Sequence, residues 1–489
     1  MLIQKADWNL DADVVVIGSG AAGVTAAITA HEAGANVIIL EKQEAQTPIS
    51  NSLLAGGDFL CPSEAKGAEE YLRALCRVDE GLYWTDLDVI HAWATYTVEN
   101  KKWLENLGGS VQLSRDGGPY DLPGRETVNA YRFRGMGPGL MQFLYDQVNQ
   151  RHIPLLSGMQ ATNLLTNTKG EVVGVKALKQ PGSEQVNVEA RRAVVLATGG
   201  FEFDEQAKLQ YLKAYPFYFT GALALTGDGI RMALDVGAQL WHMNCCSAGA
   251  ILRVPVSPQG MRPGFGGPTR KPVPDVGYII TDRSGMRYTD ENFESHVFAC
   301  EMALYESKKH LYPRIPSYWI FDHKRFAAGS LNRRRGPRDQ YQDYSWSSDN
   351  SEELERGWIK RGDTLKELGL ALGMETETLL NTVNNYNLYC KNGLDADFSR
   401  KPETLAPLNT PPYYAVELWP GGPNTQGGPR RDSKAQVLRY DGSPIPRLYS
   451  AGELGSIYGM LYPGSGGNLA ECFAFGRIAG ENASHCPPL

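Results

Sequence analysis

The chain has 489 residues, of which 42% are apolar and 21% charged, with a formal net charge of −7. That length exceeds one ordinary core and implies two unequal domains of a soluble globular protein. The acidic balance argues against nucleic acid or an anionic membrane as partner, and no apolar stretch is long enough to span a bilayer.

The first thirteen residues lack the basic and apolar runs of a secretory signal. Residues 13–17 (DVVVI) are an apolar, β-branched run, the pattern of a strand buried on both faces. The run leads into Gly18-Ser19-Gly20-Ala21-Ala22-Gly23. Small and apolar residues then recur at helical spacing to residue 33, and Gly34 closes the helix. Residues 36–40 (NVIIL) supply a second strand that ends on Glu41. Strand, G-x-G-x-x-G, helix, strand and acid at this spacing predict a dinucleotide-binding βαβ unit. Gly18 makes the tight turn, Gly20 admits a pyrophosphate, Gly23 lets helix and strand pack closely, and Glu41 accepts from a ribose diol.

Residues 69–108 read as mostly helical, with their aromatic side chains in the core. Residues 110–134, rich in Gly, Pro, Tyr and Arg, predict a loop. Residues 163–179 alternate around Gly170 as a hairpin, and 193–196 form a buried strand running into Thr198-Gly199-Gly200. Residues 251–278 are dense in Pro and Gly. Within the polar stretch 330–355, Arg333-Arg334-Arg335 reads as a solvated surface rather than a nucleic-acid patch. Residues 363–372 and 375–390 have the period of amphipathic helices. Eight scattered cysteines contain no C-x-x-C, which predicts reduced, buried thiols and a cytoplasmic location.

The chain closes on residues 449–480. A strand end leads to Ala451-Gly452-Glu453, then to a loop bearing Tyr458, Tyr462 and Ser465, then to Gly466 and Gly467 opening a helix near Asn468. Unpaired N–H groups and the positive helix end suit an anion or an electron-rich ring.

Taken in order, the first glycines, residues 50–58 (SNSLLAGGD), 193–200 (AVVLATGG), 226–229 (TGDG), Ala451-Gly452-Glu453 and the last glycine turn resemble one family. It is the FAD-binding domain shared by fumarate reductase and succinate dehydrogenase flavoproteins and by 3-ketosteroid dehydrogenases, and the resemblance covers nearly the whole chain. It implies an α/β fold, a Rossmann-like FAD-binding domain with an inserted α+β cap (substrate) domain, divided as 1–244, 245–411 and 412–489. FAD contacts are then expected from Gly18, Gly20, Ala22, Gly23, Glu41 and Lys42 near the first glycines. Ser52, Gly56, Gly57 and Asp58 would follow, then Ala161, Thr198, Gly199 and Asp228. Glu453 would meet the ribityl or pyrophosphate region, and Asn468 and Leu469 the flavin pyrimidine. Where some relatives carry a histidine bonded to the flavin, this chain has Ser50, which implies non-covalent FAD.

Fumarate-type relatives hold a dicarboxylate with histidine and arginine. Here Asn424 stands near the histidine position and Gly464 near one arginine position, and residues 291–299 contain no arginine. The steroid dehydrogenase branch uses tyrosines and backbone N–H groups around a ketone. Tyr458-x-x-x-Tyr462-x-x-Ser465 resembles its loop, with Pro463 displacing the spacing by about one residue. The expected activity is therefore an FAD-dependent dehydrogenase that introduces a C=C bond α,β to a ketone in a cyclic or steroid-like small molecule, passing electrons to an external acceptor. Tyr462 is expected as the base for the α-proton, its pKa drawn down by the helix start, with Tyr458 as the alternative. The N–H groups of Gly466 and Gly467 are expected to polarise the carbonyl, Arg134 to contact substrate, and His296 or Glu294 to handle protons from the cap. The alternatives are an ene-reductase of the fumarate type and a flavoprotein electron-transfer subunit.

Overall fold

The computed structural model describes residues 7–44, 47–182, 184–269, 273–292, 296–334 and 336–489. The chain forms two compact units. The first takes residues 1–212, 221–246 and 424–489, the second residues 213–220 and 247–423. Glu294 lies outside the described residues.

The first unit is built on parallel strands ordered Leu155–Leu156, Val37–Leu40, Leu10–Ile17, Glu184–Leu196 and Pro444–Ser450. Val14, Val15 and Val16 are fully buried, as an apolar run with no polar alternation requires. The predicted hairpin around Gly170 is present: Met159–Thr166 pairs with Val172–Lys179, which pairs in turn with Glu184–Leu196. Helix Ala21–Glu32 packs on the C-terminal helix Gly467–His485. Small residues permit the approach, because a β-carbon at Gly480 would lie 2.5 Å from the Ala26 carbonyl oxygen and one at Gly476 2.8 Å from the Thr25 side chain.

Residues 110–134 depart from the loop expectation at both ends. Strands Val111–Arg115 and Ala130–Phe133 pair antiparallel, and the latter also pairs with Asp58–Leu60. The Gly and Pro residues that suggested a loop occupy the long connection between the two strands, whereas Arg115 and Arg132 stand on the strands themselves. This small sheet underlies the last glycine turn, with the Leu60 N–H donating to the Gly466 carbonyl at 3.2 Å.

The second unit is a six-stranded sheet in which Ser317–Asp322 lies between Tyr278–Thr281 and the long strand Tyr413–Thr425. One face buries Trp319, Phe321 and Tyr414. The other packs Ile279, Ile320 and Ala415 against Leu368, Leu379 and Val383 of helices Leu365–Leu372 and Thr376–Asn392. Both helices stand where the amphipathic period places them.

Candidate active site

Strands Leu10–Ile17, Val37–Leu40 and Glu184–Leu196 all end on one cavity, the position where ligands bind in open parallel sheets. The cavity together with its open mouth holds about 800 Å³ of space. Gly18, Gly20, Ala22, Glu41, Lys42 and Ser52 line it, together with Ala161, Thr198, Gly199, Asp228 and Glu453. Gly18 has φ +101°, and a β-carbon there would stand 2.4 Å from the Ala197 carbonyl oxygen, so the turn tolerates only glycine. Gly23 does not line the cavity; its β-carbon would stand 2.0 Å from the Gly18 carbonyl oxygen, which makes it the packing glycine of the unit.

Glu41 accepts from the Ser19 N–H and hydroxyl at 3.1 and 2.7 Å and from the Gln43 N–H at 2.9 Å. Lys42 Nζ donates to Asp228 at 2.6 Å and to Thr226 Oγ1 at 2.9 Å. Ser52 Oγ takes the Ala21 N–H, and Ser50 caps the short helix Asn51–Leu54 by accepting from the Leu53 N–H at 3.2 Å. The Thr198 hydroxyl is buried against the cavity without a protein partner, a group left for a bound molecule. A glycine turn at a helix start, an acid ending the second strand and this orphan hydroxyl fit FAD.

The remaining predicted contacts lie off this cavity. Asp58 is engaged by Arg132 at 2.9 and 3.0 Å and by the Ser114 hydroxyl at 2.7 Å. Gly57, at φ +73°, is pressed against Met136, next to Gly56, while Asn468 and Leu469 open the C-terminal helix.

Glu453 is paired with an acid that sequence reasoning missed. Glu202 Oε1 accepts from the Thr425 N–H and hydroxyl at 2.7 and 3.1 Å, and its carboxyl lies beside that of Glu453. Asn51 donates to both Glu453 oxygens at 2.9 and 3.0 Å. Burial, then the Glu202 charge, push the Glu453 carboxyl well above its ordinary range, so Glu453 holds the proton and Glu202 the charge. Glu202 stands two residues after Gly200, with Phe201 between, and an acid so soon after an apolar run was the available signal.

The tyrosine loop is organised around helix Gly467–His485, whose N-cap is Gly466 at φ +103°. The Tyr462 hydroxyl oxygen accepts from the Asn468 N–H at 2.9 Å. Tyr458 is fully buried; its hydroxyl donates to the Gly467 carbonyl at 2.8 Å and accepts from Trp93 Nε1 at 3.1 Å. Burial pushes both phenols above the ordinary tyrosine value, and the charge of Glu471 adds to it. The base role needs the opposite direction. The helix start supplies one N–H to Tyr462, too little to offset desolvation. The Gly467 N–H is spent on the Gly464 carbonyl at 3.2 Å, so of the two expected donors Gly466 retains its N–H for a ligand among the described residues. Ser465 is exposed on the same turn.

Arg134 is exposed and Arg132 is held by Asp58, and the arginine set against the loop is Arg115. Its Nη1 stands 3.1 Å from where a Gly464 β-carbon would be, and its Nε donates to the Gly117 carbonyl at 2.8 Å. Its Nη2 is buried without a partner. No local pattern marks Arg115, because only the strand pairing of 111–115 with 130–133 brings it there. His296 belongs to the second unit, where its Nδ1 lies 2.7 Å from the Ser247 hydroxyl.

Beneath the loop, Glu471 accepts from the Ser456 hydroxyl at 2.6 Å and the Ile457 N–H at 3.0 Å, and pairs with fully buried Arg431. Burial pushes Glu471 up to about 7 despite that arginine.

The family model described as an FAD binding domain matches residues 13–469. Digoxin reductase of Eggerthella lenta is 28% identical over 99% of this chain and 88% of its own length. A 3-oxosteroid 1-dehydrogenase of Mycobacterium tuberculosis is 32% identical over 71% of this chain and 62% of its own. The 3-ketosteroid Δ1-dehydrogenase of Sterolibacterium denitrificans, solved with 1,4-androstadiene-3,17-dione, shares the fold with a TM-score of 0.82 at 22% identity, over 97% of this chain and 99% of that one. No helix among the described residues is long and apolar enough to cross a membrane. The chain therefore belongs to the FAD binding domain family, as an FAD-dependent oxidoreductase acting on CH–CH or C=C bonds, alongside the fumarate reductases and 3-ketosteroid dehydrogenases.

Proposed function

We propose that this chain is a dehydrogenase that introduces a C=C bond α,β to a ketone in a cyclic or steroid-like substrate, with electrons leaving to an external acceptor. The observation that carries this reading is the Tyr462 hydroxyl, held neutral by burial and fixed on the Asn468 N–H beside the Gly466 turn. FAD, when bound, supplies the two-electron redox chemistry. Tyr462 and the Gly466 N–H act on the carbonyl oxygen as enolate character develops, and a donor of this kind typically lowers a barrier by about 3 kcal/mol. Tyr458 is the support, holding the Gly467 carbonyl and thereby the helix start. His296, oriented through Nδ1 by Ser247, is proposed to handle protons, a task for which an imidazole suits neutral pH.

A second reading, reduction of an activated alkene, is favoured by Arg115, whose buried, unpartnered Nη2 suits a substrate carrying an anion. Anaerobic mixing with cyclic ketones, 3-ketosteroids and unsaturated acids separates the two. Bleaching of the flavin absorbance by a saturated ketone supports the dehydrogenase. Reoxidation of dithionite-reduced enzyme by unsaturated compounds alone overturns it in favour of the reductase.

A further inference from the structure

His242 has a backbone carbonyl on each side of its ring. Nδ1 lies 2.6 Å from the Ser456 oxygen and Nε2 2.8 Å from the Trp84 oxygen. A neutral imidazole carries one N–H, so one of these carbonyls would meet a lone pair at hydrogen-bond distance. The imidazolium alone satisfies both. The residue is buried and adopts φ +53°, a left-handed conformation uncommon outside glycine, and such strain gathers where surrounding structure holds a side chain for a purpose. Trp241 stacks on the ring with centroids 4.5 Å apart and planes 10° apart, a geometry that favours a cation.

Both carbonyls belong to segments that set the tyrosine loop. Ser456 lies two residues before Tyr458. Next to Trp84, the Thr85 hydroxyl donates to the Ile457 carbonyl at 2.5 Å, and the Trp84 ring fills the space a Gly459 side chain would occupy. The Trp241 indole donates to the Gly455 carbonyl at 3.0 Å.

We propose that His242 is a positioning residue for the reaction proposed above: its charged ring clamps the Trp84–Thr85 segment to Ser456 and so fixes the register of the loop bearing Tyr458 and Tyr462. The inference rests on that reading for its consequence, but the clamp can be measured without turnover. The charged groups facing the ring are Asp86, which favours the cation and is itself bound by Arg430 at 2.6 Å, and Arg431, which opposes it and is bound by Glu471. Burial also opposes the cation, and the ring titrates below the ordinary histidine range. The clamp is therefore closed on the acid side and loses one carbonyl as pH rises.

The test is a nitrogen-15 NMR titration of the histidine rings in FAD-loaded protein between about pH 5 and 8, with His242 assigned by its loss in His242→Gln. Two proton-bearing ring nitrogens at the acid end and one at the alkaline end are expected. In parallel, cyclohex-2-enone binding, read from the flavin absorbance, should weaken about tenfold across that titration, the equivalent of one hydrogen bond. The dependence should flatten in His242→Gln, which keeps one donor but does not titrate. A single ring N–H throughout overturns the proposal, and so does an unchanged pH dependence of binding in the variant. Should His242→Gln fail to fold, Asp86→Asn replaces it and should move the ring's titration further toward acid. If cyclohexenone binds at no pH, the functional reading fails while the ring titration still decides the clamp.

Discussion

The Tyr462 hydroxyl accepts the Asn468 N–H at 2.9 Å, so the phenol and the start of the C-terminal helix are one hydrogen-bonded unit. Tyr462→Phe removes that acceptor and the polarising hydroxyl together. Flavin reduction by a saturated ketone should slow by about 10²- to 10³-fold, while FAD stays bound, since Tyr462 does not line the cofactor cavity. Because burial raises the phenol's pKa, the wild-type rate should show no rise from tyrosine ionisation below the ordinary tyrosine value. Stopped-flow absorbance of wild type and variant across pH checks both points, and an alkaline rise lost in the variant would return Tyr462 to the role of base.

Arg115 fills the space that Gly464 leaves beside the loop. Arg115→Met keeps most of the packing and removes the charge. Ligands bearing a carboxylate should lose about 10- to 100-fold in affinity, the range for a hydrogen bond to a charged group, while neutral cyclic ketones should bind as before. Flavin-absorbance titrations with paired neutral and acidic ligands measure the difference. Equal losses for both would show that Arg115 supports the loop without touching substrate.

The cofactor half of the site was legible in the sequence because its signals are local. Gly18, Gly20, Gly23 and Glu41 follow from one βαβ unit, and the structure places three of them on the cavity and Gly23 in the packing role its position implies. The hairpin at Gly170 and the two amphipathic helices were legible for the same reason, period and turn chemistry. The tyrosine loop was legible in residue identity but not in electrostatics. Whether a phenol is pushed up or down depends first on its burial by the folded chain, and then on groups such as Glu471, nearby in sequence, and Trp93, far from it. Arg115 and Glu202 were missed because each acts through a partner at least 200 residues away, Gly464 for the first and Glu453 for the second.

Burial raises the pKa of both Glu202 and Glu453, and the Glu202 charge raises Glu453 further, so removing one carboxylate should expose the repulsion. Both acids have folded pKa values above their unfolded ones, so the proton's contribution to stability is present at low pH and is lost as pH rises through the folded values. Glu202→Gln keeps an acceptor for Thr425 and removes the like charge. The variant should match wild type near pH 5 and exceed it by about 1–3 kcal/mol near pH 9. Urea denaturation of the FAD-free protein at the two pH values measures this. A variant less stable than wild type at alkaline pH would show that both carboxylates are accommodated as charges.

Arg431 and Glu471 form a pair with both side chains fully buried. Arg431→Met strands Glu471 among Ser456, Ile457 and the apolar core, and losing one partner of a buried pair costs about 3–5 kcal/mol. The cost should depend on pH. Glu471 sits near 7 even with its arginine present, so without it the carboxyl protonates more readily and the deficit shrinks as pH falls from about 8 to 5. Arg431→Met combined with Glu471→Gln should recover most of the loss at pH 8, because the amide can accept from Ser456 and Ile457 without an unpaired charge. Denaturant unfolding of the two single variants and the double variant forms the cycle. Additive losses would mean that the pair contributes nothing jointly and that Arg431 acts through its carbonyl contacts to Gly452 and Leu454 alone.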